Sequence, residues 1–183
     1  GVSNQEIGHW TGILVLAWAF KPLWSPLLET SNNKRFFVVL FQMIGGVALG
    51  LIALTLQFSN TIAVVVALLG VIALASATHD IAADGLYIAS LSTKQQTMFA
   101  GWQGAFYNAS KFVISGGLVV LAGDLQTKIK LPAEQAWSII FAIMSVGLIA
   151  IAIYHLWALP ANPQSNTAPT TIKEGFATLR EVI

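Results

Sequence analysis

From Phe36 to His79 the chain contains no Asp, Glu, Lys or Arg. That run covers one complete membrane crossing and most of a second, because about 20 apolar residues wound as a helix traverse the ~30 Å hydrocarbon core of a bilayer. Only Gln57, Phe58, Ser59 and Asn60 interrupt it, which predicts a tight antiparallel pair of membrane helices. Composition points the same way. Of 183 residues, 56% are hydrophobic and 9% charged, whereas a soluble domain carries about 25% charged residues. So much apolar surface also excludes a disordered chain. With no Cys there is no disulfide framework, thiol nucleophile or Cys-based metal site. A net charge of +1 gives no strongly basic face, which leaves nucleic-acid binding without an electrostatic basis. The remaining class is an all-α integral membrane protein whose first partner is the lipid bilayer.

Five segments are long and apolar enough to span: residues 10–28, 36–56, 61–88, 99–122 and 136–159. They are continuously apolar, whereas barrel strands alternate apolar and polar over ~10 residues. Short polar linkers separate them at Glu29–Arg35, Ser90–Met98 and Gly123–Gln135, and residues 161–183 read as a Pro-, Asn- and Thr-rich linker. With five spans the two ends lie on opposite sides. One side collects Lys34, Arg35, Lys94, Lys173 and Arg180, the other Lys128 and Lys130. By the positive-inside rule the first side is cytoplasmic, with Gly1 outside and Ile183 inside. No signal peptide precedes the first span. The chain reads as a fragment of a longer one.

Four charges fall inside the spans: Lys21 on the first, Asp80 and Asp84 on the third, Lys111 on the fourth. Each costs about 2.5–3.5 kcal/mol to insert at mid-membrane, and unpaired they would cost on the order of 10 kcal/mol together. They cancel in sign, which favours a shared, paired environment. Lys21 lies seven residues before the cytoplasmic end of its span. Asp84 and Asp80 lie four and eight residues before the end of theirs. These heights overlap at ~1.5 Å per residue. Asp80 and Asp84 share a helix face at i, i+4. Gln103, Tyr107 and Lys111 continue that spacing as a polar stripe on the fourth span, with Asn108 beside it. The second and fifth spans have no core charge, only Gln42 and His155, and are expected at the periphery. Such a cluster exceeds what packing needs, because buried ion pairs stabilise less than apolar isosteres.

Other residues admit blander readings. His79 is either a hydrogen-bonded helix residue or one that handles protons or substrate. Pro22 and Pro26 each remove a backbone hydrogen bond and kink the first span. Trp18 and Trp24 pack in lipid or between helices, or offer a stacking surface to a sugar ring. Gly46 with Gly50, and Gly101 with Ala105, form small-xxx-small pairs suited to helix packing. Gly116 and Gly117 permit close contact or a hinge. The pattern His79-Asp80 with Asp84-Gly85 invites a metal site, but no further carboxylate follows before Asp124. The stretch Gly101–Gly104 lacks the Gly-Lys-Ser/Thr continuation of a phosphate loop. No catalytic, metal or cofactor site is therefore assigned, and an enzyme is not expected.

Ala77-Thr78-His79-Asp80-Ile81-Ala82-Ala83-Asp84 resembles the Ser-Gln-Asp-Ile-x-x-Asp signature in the fourth helix of the muropeptide permease (AmpG-like) and acetyl-CoA transporter group of the major facilitator superfamily. Lys21-Pro22-Leu23-Trp24-Ser25-Pro26-Leu27 resembles the Lys-Phe-Leu-Trp-Ala-Pro-Leu run of its second helix, and Ser115-Gly116-Gly117-Leu118 is similar to its fifth. The resemblance covers almost the whole chain. It implies helices 2 to 6 of a twelve-helix fold, most of the N-terminal six-helix half, with residues 161–183 as the cytoplasmic central linker. Helix 1 and the C-terminal half are then the missing partners. The superfamily loop motif survives in altered form: Ser25 and Asn32 stand for its two glycines, Glu29 for its Asp, and Lys34 and Arg35 keep the basic pair.

The expectation is a proton-coupled symporter or permease of a bacterial inner membrane, moving a cell-wall saccharide such as an anhydromuropeptide or a related sugar conjugate. Asp80 and Asp84 would be the proton-responsive carboxylates, with Lys21 or Lys111 governing them by approach and withdrawal. Trp24, His79, Gln103, Tyr107 and Asn108 would line the substrate path. The alternatives are a permease for another sugar or organic solute, and a non-transporting membrane sensor or scaffold that kept the fold.

Overall fold

The computed structural model describes residues 2–31, 33–59 and 61–161. Gly1, Asn32 and the expected linker from residue 162 onward, with Lys173 and Arg180, lie outside the described residues. All regular structure among the described residues is helical: α1 (Asn4–Ala19), α2 (Lys21–Glu29), α3 (Lys34–Thr55), α4 (Ile62–Ser90), α5 (Thr93–Lys111), a π-helical segment (Phe112–Leu118), α6 (Val119–Thr127) and α7 (Ala133–Ala158). They form five helical stretches long and apolar enough to cross a membrane: Asn4–Glu29, Lys34–Thr55, Ile62–Ser90, Thr93–Thr127 and Ala133–Ala158. The chain therefore has the make-up of a multi-pass membrane protein. α4 alone has 29 residues, about 43 Å at ~1.5 Å per residue, so its ends project past the hydrocarbon. Successive spans run antiparallel, so Lys34, Arg35 and Lys94, at the starts of α3 and α5, lie at one end of the bundle, called here the basic end.

Local signals set the boundaries. The first span breaks between α1 and α2 because Pro22 has no N–H and cannot continue the helical ladder. Phe20 sits there at φ −91°, ψ 1°, and Leu23 N–H bonds to the Phe20 carbonyl at 2.9 Å instead. Ser3 with Glu6, and Ser92 with Gln95, form reciprocal capping boxes, each satisfying two backbone donors. The second box starts α5 at Thr93, earlier than the expected Phe99, and shortens the linker after α4 accordingly. At the other end the fourth span stays helical to Thr127, past the expected Ala122.

Packing departs from expectation in one respect. The second span was expected at the periphery, yet α3 lies between α4 and α7 and packs along both. Half of its apolar window is buried, against 6% for the fourth span. Gly46 explains the approach to α7: a Cβ there would lie 2.6 Å from Ile149 Cγ1. Along the same seam Ser138 Oγ donates to the Ala53 carbonyl at 2.5 Å and Ser145 Oγ to the Gly46 carbonyl at 2.7 Å. Small residues thus let two backbones close and hydroxyls stitch them. A second apolar cluster, centred on Leu28, Val38, Ile81, Ala82 and Leu86, joins α2, α3 and α4. The fourth span is held mainly at its ends. Tyr87 Oη donates to the Gln96 carbonyl at 2.8 Å, Gln96 Nε2 to the Leu91 carbonyl at 2.9 Å, and Ala122 and Leu125 pack on α7.

Candidate functional site

The four charges within the spans divide into two groups. Lys21, directly after the break in the first span, forms an ion pair with Asp80 of α4. Pro22 contributes by ending α1 where it does, so that Lys21 opens a new helix, α2, which packs on α4. The Lys21 side chain is 23% exposed and that of Asp80 50%, so the pair opens to one side. Asp84, one turn further along α4, is exposed and has no ion-pair partner among the described residues. Lys111, expected to share this cluster, stands apart on α5, which has no extended packing against α2 or α4. Its ammonium instead lies 4.3 Å from the centroid of the Tyr107 ring, an attraction of cation and aromatic face.

Two polar side chains of the fourth span bond back to their own helix. Asn108 Nδ2 donates to the Gly104 carbonyl at 2.9 Å and Ser110 Oγ to the Tyr107 carbonyl at 2.8 Å. Gln103, Tyr107, Asn108 and Lys111 are all exposed. Of these, Gln103 alone reaches the cleft of about 370 Å³ at the basic end, which it lines together with His79, Asp84, Tyr87 and His155. A Cβ at Gly101, Gly104, Gly116 or Gly117 would meet nothing within 4 Å. Among the described residues Gly101, Gly116 and Gly117 therefore pack closely against no other helix. The last two instead lie in the π-helical segment.

Two side chains assigned to the substrate path behave differently from each other. His79 lines the cleft, and its Nε2 is buried without a hydrogen-bond partner among the described residues. Trp24 instead packs against the apolar cluster of α2, α3 and α4 and borders a separate apolar cleft with Phe20 and Leu74. Its ring is partly buried and does not line the polar cleft, and its Nε1, like His79 Nε2, is buried without a hydrogen-bond partner among the described residues.

The loop residues also acquire definite places. Lys34 is buried, and its Nζ donates to the carbonyls of Glu29 at 2.9 Å and Ser31 at 3.1 Å. It thereby caps the carbonyl end of α2, where a cation is favoured. Its stem passes Gly85 of α4, where a Cβ would lie 3.0 Å from Lys34 Cε. Arg35 Nη1 donates to the Leu159 carbonyl at 3.2 Å. The Glu29 side chain is exposed and makes no ion pair among the described residues.

Sequence reasoning missed one partnership. His155 Nδ1 and Gln42 Oε1 lie 2.9 Å apart and join α7 to α3 behind the cleft. Gln42 is the one amide in α3 and His155 the one imidazole in α7, three residues before its end, and that pairing of exceptions was the available signal. No group of three or more His, Cys, Asp or Glu among the described residues is arranged to hold a metal ion. No protein-family model, curated protein or solved structure matches the chain.

Proposed function

We propose that this chain is the substrate-facing part of a proton-coupled secondary transporter of the major facilitator type, in a bacterial inner membrane. The observation that carries the reading is the Lys21–Asp80 ion pair at membrane depth, with a second carboxylate, Asp84, one turn away and without an ion-pair partner among the described residues. Charges at that depth are expensive and are retained where they serve a pathway. One ammonium facing two carboxylates at i, i+4 can exchange partners when one carboxylate takes a proton, and such an exchange couples proton entry to helix movement. Alternating access then requires a second half-bundle rocking against this one. The cleft beside Asp84, with His79 and Gln103, offers hydrogen-bonding groups to a hydroxyl-rich solute. We propose a cell-wall saccharide such as an anhydromuropeptide as that solute, moved without covalent chemistry.

The test is uptake of labelled anhydromuropeptide into vesicles bearing the full-length protein, with and without an inward proton gradient. Gradient-stimulated uptake is expected, and Asp80→Asn is expected to abolish the stimulation while the protein still folds. Asn is isosteric with Asp and its amide oxygen still accepts from the Lys21 ammonium, so the variant removes the charge and keeps a hydrogen bond across the pair. Undiminished coupled uptake in Asp80→Asn would sink the coupling role. No uptake of the saccharide, with uptake of a simpler sugar or organic solute, would replace the substrate and keep the transporter. Vesicles of folded protein that move no solute, with or without the charge cluster, would point to a membrane sensor or scaffold.

A further inference from the structure

A separate cleft of about 440 Å³ lies between α3 and α7 at the basic end, away from Asp80 and Asp84. Val39, Leu40, Met43 and Leu156 make it apolar, and Arg35 and Asn33 stand at its rim. Arg35 uses one of its donors on the Leu159 carbonyl. A guanidinium has five N–H donors in a planar fork, and no other bond from Arg35 is formed among the described residues. The Asn33 side-chain oxygen accepts from Phe36 N–H at 3.2 Å, which leaves its amide N–H groups as donors.

We propose that this groove binds an anionic phospholipid, with the phosphate on Arg35 and Asn33 and an acyl chain along Leu40, Met43 and Leu156. Three observations favour that occupant. The groove is apolar along its length and cationic only at the end of the spans, which is how a lipid is itself built. Basic pockets between membrane helices at the headgroup level select anionic lipids. Lys34 is occupied by the carbonyls of Glu29 and Ser31, so Arg35 is the cation left to face the groove. Because Arg35 also holds the Leu159 carbonyl, a phosphate there would tie the start of α3 to the end of α7.

The experiment is native mass spectrometry of the full-length protein released from micelles containing equal amounts of phosphatidylglycerol and phosphatidylcholine with identical chains. Preferential retention of phosphatidylglycerol is expected. Arg35→Gln should lower the retention ratio about fivefold, the worth of one basic residue near a membrane surface. Lys94→Gln, at the same end but outside the groove, should leave it unchanged. Equal retention of the two lipids by the unaltered protein overturns the proposal without reference to any variant. So does an unchanged ratio in folded Arg35→Gln. Arg35→Lys keeps the charge and provides a second variant should Arg35→Gln fail to fold, and it should retain most of the preference. Inorganic phosphate that displaces the retained phosphatidylglycerol would mark a free-anion site and also overturns it, as would a groove that retains neither lipid.

Discussion

The α3–α7 seam and the fourth span use similar ingredients to opposite ends. Both contain glycines four or fewer residues apart, hydroxyl side chains and amides in an apolar setting. In the seam, Gly46 faces Ile149 and its carbonyl takes the Ser145 hydroxyl. On α5, Gly101 and Gly104 face open space, and Asn108 and Ser110 bond back to their own helix. A small residue closes an interface only where another helix arrives. Where none does, polar side chains fall back on local carbonyls. The first region holds the bundle together, and the second leaves a polar face available to solute or to another bundle.

That contrast can be broken by substitution, most strongly at Gly46. Gly46→Val should cost about 1–3 kcal/mol, the usual range for overpacking, because the new side chain meets Ile149 and the backbone behind it. Unfolding in mixed micelles would measure this, and a near-zero cost would mean that α3 and α7 are not in close contact. Ser145→Ala should cost less, about 0.6 kcal/mol and at most ~1.7, the span measured for hydrogen bonds between membrane helices. Lys111→Met should change stability by under about 1 kcal/mol, the limit for an exposed cation–aromatic contact, yet reduce uptake in the assay described above. Loss of fold without that contact would show Lys111 to be structural. Gly101→Ala should be smallest, from neutral to a stabilisation of up to about 1 kcal/mol from helix propensity. A clear destabilisation there would reveal a packed α5 and erase the contrast.

Much of this arrangement was legible from spacing. The charge-free run located α3 and most of α4, and helical rise alone brought Lys21 to the height of Asp80. The helix starts at Asn4 and Thr93 were also written in the chain, as Ser3-x-x-Glu6 and Ser92-x-x-Gln95, and capping chemistry would have found them. Depth, however, carries no azimuth. Charge balance grouped Lys111 with the acidic pair without showing that α5 has no extended packing against α2 or α4. Nor does the lack of a charge place a helix at the periphery: α3 and α7 are equally apolar, yet half of the apolar window of α3 is buried against 22% for α7. Nor could sequence periodicity across Pro22 and Pro26 show that Trp24 packs on the cluster of Leu28, Val38 and Ile81.

The π-helical segment Phe112–Leu118 has a consequence for the fourth span as a mechanical part. Bonds of the i→i+5 type wind the chain less per residue than an α-helix does, and such bulges are common at functional sites. The azimuth of Gln103, Tyr107 and Lys111 relative to the anchored face of Ala122 and Leu125 is therefore set by where the bulge sits. Gly116 and Gly117 leave it sterically open on its outer side. Were the bulge displaced along the chain, the upper half of the span would rotate about its own axis while its lower half stayed docked on α7. Such a displacement would re-aim the polar face of Gln103, Tyr107 and Lys111 without unwinding the span.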